Sequence, residues 1–281
     1  MTDIGLVVLT HNSAQTLPRC LASAREIVKS ILVVDSGSAD ESLQIAERMG
    51  ARVLRRPFIN YADQRNWAAA QVDQTVDCLL HLDSDEYLTA DLAAELAERV
   101  ATMEPSTTGF LMRRRVIFCG REMRHGGLAG TWHLRLYRVG RGRCEDRLYD
   151  QHFVSDGPVD QLHGFFVDDN RSSLELWTDR HNRWSTAEAR EILTATGGGF
   201  RVTPTLLGTP IQRKRWMKER VWARMPPFWR AFAYFLHRYV VRLGFLDGIE
   251  GLIFHTLQGF WFRFLIDSKI WEARARQIIR D

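Results

Sequence analysis

The first hundred residues alternate uninterrupted apolar runs with stretches of helical period, and few architectures accept that pattern. Residues 4–9 (IGLVVL) form the first run, and a stretch with Leu17, Leu21, Ala24 and Val28 on one face follows it. Residues 31–34 are the second run. Ser38-Ala39-Asp40-Glu41 has the form of a capping box, in which the Ser and Glu side chains satisfy each other's backbone N–H groups. It opens an expected helix with Leu43, Ile45, Ala46 and Met49 that stops at Gly50. Residues 52–54 read as a weaker strand, 61–72 as a helix and 77–82 as the fourth strand. Residues 89–103 read as a helix with Leu92, Leu96 and Val100 inward, ended by Pro105. Strands without polar alternation are buried on both faces, so the pattern predicts an α/β fold with a parallel sheet covered by helices. At 281 residues and 45% hydrophobic, the chain can bury one large core, or one core plus an appendage.

In such sheets ligands gather at the carboxyl ends of the strands. Three polar stretches lie there: Thr10-His11-Asn12, Asp35-Ser36-Gly37-Ser38 and the HLDSDEYL of residues 81–88. Asn12, Ser38 and Thr89 can each serve as an ordinary helix cap. The third stretch crowds Asp83, Asp85 and Glu86 into four residues, which is repulsive unless a cation sits among them. Asp83 and Asp85, two apart in extended chain, project to the same side. A hard divalent ion takes one or two such carboxylates together with diphosphate oxygens. No G-x-G-x-x-G and no P-loop are present, which excludes the usual dinucleotide and P-loop triphosphate sites. Cys20, Cys78, Cys119 and Cys144 show no C-x-x-C spacing, so neither a zinc ribbon nor a disulfide framework is expected, and a reducing cytoplasm suits them. The N-terminus lacks the basic n-region of a signal peptide, and its apolar run is too short for one.

The last part of the chain differs in kind. After Gly197-Gly198-Gly199 the composition shifts, which places a boundary near residue 200 between a region 1–199 and a region 200–281. Residues 200–281 hold 15 Lys and Arg against 6 Asp and Glu, and 16 of the 30 aromatics. Residues 228–246 and 251–266 are apolar and aromatic, but arginines interrupt both, so neither is a convincing membrane span. The mixture fits helices lying in a membrane interface, or a helical hairpin packed on protein. Nucleic acid is not expected, because these aromatics stand in an apolar context.

In order, the chain carries LTHNSAQTLPRCLAS, ILVVDSGSADES, NYADQRNWA, LLHLDSDEYL, HLRLYR, a DGPV stretch and HNRWSTAEA. This series resembles the family 2 glycosyltransferases with their GT-A fold, and among them the branch with lipopolysaccharide-core β-glucosyltransferases. The resemblance spans about residues 3–190. It implies an inverting, metal-dependent enzyme that moves a sugar from a nucleotide-sugar, a UDP-sugar, to a lipid-linked, lipopolysaccharide or exopolysaccharide glycan. An acceptor of that kind and the basic aromatic tail together point to peripheral attachment to the cytoplasmic face of the cell membrane. Thr10, His11 and Asn12 would line the nucleotide pocket, and Asp35 would accept a hydrogen bond from the base. Arg65 and Asn66 would reach the nucleotide-sugar. Asp83 would touch the ribose or the metal, and Asp85 would ligate Mg²⁺ or Mn²⁺. Asp168 stands where branch members carry His and would be a third oxygen ligand.

The resemblance leaves several acids as the catalytic base. The branch keeps an acidic residue in a V-H-E-like triplet, which here falls on Tyr149-Asp150-Gln151, so Asp150 is the first candidate. Asp146 is the second, on the likeness of Glu145-Asp146 to the E-D pair of other members, with Glu145 orienting it. A polyprenyl-phosphate sugar synthase is the nearest rival, and a membrane scaffold built on a dead transferase domain is the non-enzymatic one. The intact Asp83/Asp85 pair argues against the scaffold. His125 and His133 lack cysteines at zinc spacing and read as loop or acceptor-side residues. Arg113-Arg114-Arg115 reads as a half-exposed strand face, and Arg183-Trp184 as ordinary helix.

Overall fold

A computed structural model describes residues 2–73, 75–194 and 200–278. The chain divides into two compact units. The first comprises residues 1–120, 130–146 and 151–171, and the second residues 121–129, 147–150 and 172–281. The Gly197-Gly198-Gly199 stretch that suggested a boundary near residue 200 lies outside the described residues.

Among the described residues, ten strands belong to the first unit. They are β1 (Ile4–Thr10), β2 (Ser30–Asp35), β3 (Arg52–Arg55), β4 (Cys78–Asp83), β5 (Glu86–Leu88) and β6 (Gly109–Phe118), then β8 (Thr131–Arg138), β9 (Gly142–Cys144), β10 (Phe153–Ser155) and β11 (Val159–Asn170). The two-residue β7 (Arg121–Glu122) falls in the second unit. The main sheet runs β3-β2-β1-β4-β8-β6-β11-β5. Its first four strands and the β6–β11 pair are parallel, whereas β8 is antiparallel to both neighbours and β5 is antiparallel to β11. β9 and β10 form a separate antiparallel ribbon. The protein is thus an α/β fold with a mostly parallel sheet.

The unbroken apolar runs have the cause expected of them. Leu6, Val8, Val33, Leu80 and Leu82 point to one face, where they meet Leu17 and Leu21 of α1 (Leu17–Ala24) and Leu92, Leu96 and Val100 of α4 (Ala90–Ala101). Val7, Leu32 and Val34 point to the other, onto Ala68 of α3 (Tyr61–Ala70). Between them, α2 (Ser42–Arg48) ends as Gly50 adopts a φ of 78°.

Local readings were right and wrong for identifiable reasons. Thr89 caps α4 by accepting the Leu92 N–H. The capping box at Ser38 does not form. The Ser38 hydroxyl is taken by Asp35, and the Asp40 carboxylate accepts the Ser42 N–H at 3.0 Å instead. α1 is shorter than its apolar spacing suggests, because a 3₁₀ turn follows it and Val28 is extended.

The second unit is helical, with α5 (Leu174–Leu193), α6 (Pro210–Arg220), α7 (Trp229–Leu236), α8 (Gly248–Phe254) and α9 (Phe262–Ile278). Ala189 of α5 packs with Phe262, Ile266 and Ile270 of α9, beside Tyr149 and Trp184. Asp267 of α9 accepts the Phe228 N–H at 2.8 Å and the Arg230 Nε–H at 2.9 Å, which ties the start of α7 to α9. Among the described residues no helix is long and apolar enough to cross a membrane.

One contact in the first unit is set by glycine. A Cβ on Gly164 of β11 would stand 2.6 Å from the Leu92 Cα, so α4 lies directly on the strand there. Gly164→Ala should therefore push α4 off the sheet and cost about 1–3 kcal/mol of stability, the usual range for overpacking. A chemical denaturation series on the two proteins checks this.

Candidate active site

The site is built where β1, β2 and β4 end. Asn12, at a φ of 50°, donates its backbone N–H to the Ser38 hydroxyl at 2.8 Å, and its side-chain oxygen accepts the Ala39 N–H at 2.8 Å. That ties the loop after β1 to the loop after β2. The Ser13 and Ser84 hydroxyls meet at 2.8 Å and tie the loop after β1 to the tip after β4. The three polar tips therefore sit together. Asp35 is fully buried, and its carboxylate accepts the Gly37 and Ser38 N–H groups and the Ser38 hydroxyl. Its bonding goes to its own turn. His11 is exposed, while the Thr10 hydroxyl is buried without a partner.

Below these tips lies a cluster of buried charge. Arg65 of α3 donates to both oxygens of Asp83, at 2.8 and 3.0 Å. Arg135 of β8 is buried, and it reaches Asp83 at 3.4 Å and also hydrogen-bonds the buried Glu86. The second Glu86 oxygen accepts the Asp83 N–H at 3.0 Å, which closes the turn between β4 and β5. Burial alone would raise the Asp83 pKa, but Arg65 and Arg135 outweigh it and hold the carboxyl well below its ordinary value. Glu86 goes the other way, because burial dominates over Arg135. His81 is stacked on Tyr137 and bonds its hydroxyl at 2.8 Å.

The neighbour of Arg65 does a second job. Asn66 donates to the Cys144 carbonyl at 3.0 Å and accepts the Cys144 N–H at 2.8 Å. Two consecutive side chains of α3 thus hold the end of β4 and the end of β9. Glu145 and Asp146 follow directly. Glu145 is fully buried and accepts the His152 N–H at 2.9 Å, and Asp146 is half-exposed, paired with Arg143 at 2.9 Å.

The remaining acids are placed differently. Asp85 is half-buried and accepts from the Asn170 amide at 3.2 Å. Asp168 pairs with Arg114 at 3.3 Å, and Asp169 with Arg19 at 3.2 Å. Among the described residues no three His, Cys, Asp or Glu side chains are grouped to hold a metal ion, so Asp83, Asp85 and Asp168 do not form a ready three-carboxylate cage. The donor chemistry nevertheless fits a hard ion that arrives with a diphosphate, since one or two protein carboxylates then suffice. Asp150 belongs to the second unit. There its carboxylate pairs with Lys218 at 2.8 Å, and its carbonyl accepts from Arg215 at 3.1 Å.

A profile described as Glycosyl transferase family 2 matches residues 6–155, more than half of the chain and all of the tips just described. The chain belongs to glycosyl transferase family 2. As a family 2 glycosyltransferase it has relatives in Rickettsia. A Rickettsia typhi protein named as an uncharacterized glycosyltransferase is 22% identical across 99% of this chain and 91% of its own length. A Rickettsia felis protein of the same description is 34% identical, but that match covers 34% of this chain and only 33% of the relative. Among solved structures, S. aureus TarS in complex with UDP-GlcNAc is 14% identical over 98% of this chain and 92% of that one, with a TM-score of 0.47.

Arg135 is the member of this glycosyltransferase's charge cluster that the sequence did not single out. The visible signal was an arginine set between Leu134 and Leu136 in HLRLYR, where a buried strand has no room for an unpaired charge. Arg114 was read as part of an undivided basic face. The strand's alternation separates it from Arg113 and Arg115, which lie over the Phe165 ring at 4.3 and 4.0 Å.

Two outcomes follow from the burial of these groups. Arg135→Met takes a buried hydrogen-bond partner from Glu86 and should cost about 1–3 kcal/mol, whereas Arg143→Met, at a half-exposed pair, should cost about 0–1 kcal/mol; urea melts compare them. Burial, aided by Arg65 and Arg135, pushes the His81 pKa down to about 3. The unfolded chain takes up that proton near its ordinary value while the folded chain refuses it. The contribution of neutral His81 is therefore complete above pH 6.5 and is lost as pH falls from there toward 3. His81→Asn should flatten the dependence of Tm on pH across that window.

Proposed function

We propose that this glycosyltransferase moves a sugar, with inversion, from a UDP-sugar to a glycan acceptor carried on a lipid or on lipopolysaccharide. The observation that carries the reading is the double hold of α3, with Arg65 on Asp83 and Asn66 on Cys144. It keeps the Asp-x-Asp tip and the Glu145-Asp146 pair within one unit, which gives a donor site and an acid for the acceptor side a common frame.

In this reading Thr10, with its unpartnered hydroxyl, and the exposed His11 face the nucleotide, while Asn12 and Asp35 shape the loops around it. Arg65 and Arg135 favour the ionised form of Asp83. Asp85, with Asp83 beside it, would hold Mg²⁺ or Mn²⁺, whose contribution is to offset the charge of the departing diphosphate. Asp168 spends its charge on Arg114 and supports the strand end. Asp146 takes the proton of the acceptor hydroxyl as that oxygen attacks the anomeric carbon opposite the diphosphate. Asp146 is preferred to Asp150 because it belongs to the same unit as the Asp-x-Asp tip, whereas Asp150 belongs to the second unit and pairs there with Lys218. Glu145, buried on the His152 backbone, holds the turn in which Asp146 stands. The acceptor's lipid places the enzyme on the cytoplasmic face of the membrane.

Thermal stabilisation by nucleotide-sugars, with and without Mn²⁺, tests the donor side, since a ligand that binds the native state raises apparent stability. The wild type should show an Mn²⁺-dependent increment with a UDP-sugar that Asp85→Ala lacks. An increment unchanged in Asp85→Ala removes the metal assignment. On the acceptor side, Asp146→Asn should cut turnover roughly 10²–10⁴-fold with donor affinity intact. Loss in Asp150→Asn alone would move the base to Asp150. Full turnover in both variants would mean an acceptor that is already anionic, as a polyprenyl phosphate is.

A further inference from the structure

We propose that the outward face of α7 and of the turns after it is a docking surface for an anionic lipid bilayer. The helix is inverted relative to one that packs in water. Trp229, Phe232, Leu236 and Val240 recur at intervals of three and four along α7 and the π turn that continues it, and all are exposed, Trp229 by 68% and Val240 by 51%. Leu243, Phe245, Leu246 and Ile249 extend the exposed apolar surface. The polar side chains turn inward instead. Arg230 is spent on Asp267, and the buried Arg238 donates to the Gly126 carbonyl at 3.0 Å. A soluble helix keeps its apolar stripe on the core side.

Charge selects a lipid surface over a second copy of this chain or an apolar protein partner. Lys214, Arg220, Arg224 and Arg242 flank or interrupt the stripe and are exposed. The nearby acids are withdrawn: Asp247 is buried and bonds His125 at 2.7 Å, and Glu250 pairs with Arg121 at 3.4 Å. Only Glu219 is an exposed acid between residues 200 and 254. Aromatic and aliphatic side chains bordered by arginines suit the boundary between headgroups and acyl chains, and each basic residue adds attraction to an anionic leaflet.

The proposal deepens the reading of a lipid-carried acceptor and rests on it for its purpose, but vesicle binding requires no sugar transfer, so the two can fail separately. Flotation of the full chain with phosphatidylglycerol-containing vesicles, against vesicles of phosphatidylcholine alone, tests it. Binding should favour the anionic vesicles and weaken as salt rises. Trp229→Ser/Phe232→Ser/Leu236→Ser should bind about tenfold less at an unchanged melting temperature, since these residues are exposed. Arg220→Glu/Arg224→Glu should lose the anionic preference. Absence of vesicle binding, or serine-variant binding equal to wild type, overturns the proposal. Self-association abolished by the same serine substitutions, without vesicle binding, assigns the face to a second copy.

Discussion

Arg135 touches two buried carboxyl groups at once, Asp83 and Glu86. Asp83 and Glu86 stand at either side of the turn between β4 and β5, and each buried ion costs several kcal/mol unless it is paired. Arg135 supplies the pairing from β8, and Arg65 completes it from α3. The geometry of the donor end depends on that arrangement. It sets the direction in which the chain leaves β4, and so the position of Asp85, and it makes α3 a fixed support from which Asn66 can hold β9. The family 2 chemistry proposed here needs those two strand ends in one frame, and a charge pairing in the interior provides it.

The parallel half of the sheet was legible because its physics is local. Continuous apolar strands, the Thr89 cap and the Gly50 stop are all written within a few residues of where they act. Ser38 failed for the opposite reason. Its hydroxyl had two possible partners, and the one that won, Asp35, sits in a turn whose shape depends on Asn12 from another loop. The other half of the sheet, where antiparallel pairs flank the parallel β6–β11 pair, was illegible as a set. Their order β8-β6-β11-β5 comes from long-range pairing, and no sequence period records which strand lies beside which.

The site divides the same way. Asp83 and Asp85 could be read from a strand that ends in acid, but their partners could not. Arg65 lies 18 residues before Asp83 and Arg135 lies 52 after it. A carboxylate met in sequence does not show its partners in space, and Asp168 pairs with Arg114 from another strand. Asp150 shows this best. Its place in the motif suggested catalysis, yet its neighbours in space are Lys218 and Glu188's lysine-linked network.

The second unit is not a contiguous stretch of chain. It takes in residues 121–129 and 147–150 as well as everything from Ser172 onward. His125 is bonded by Asp247, and Arg147 by Glu188, partners that lie 122 and 41 residues later, respectively. The helical unit therefore cannot be detached by a single cut: a truncated chain would keep the two segments and lose the helices they belong with.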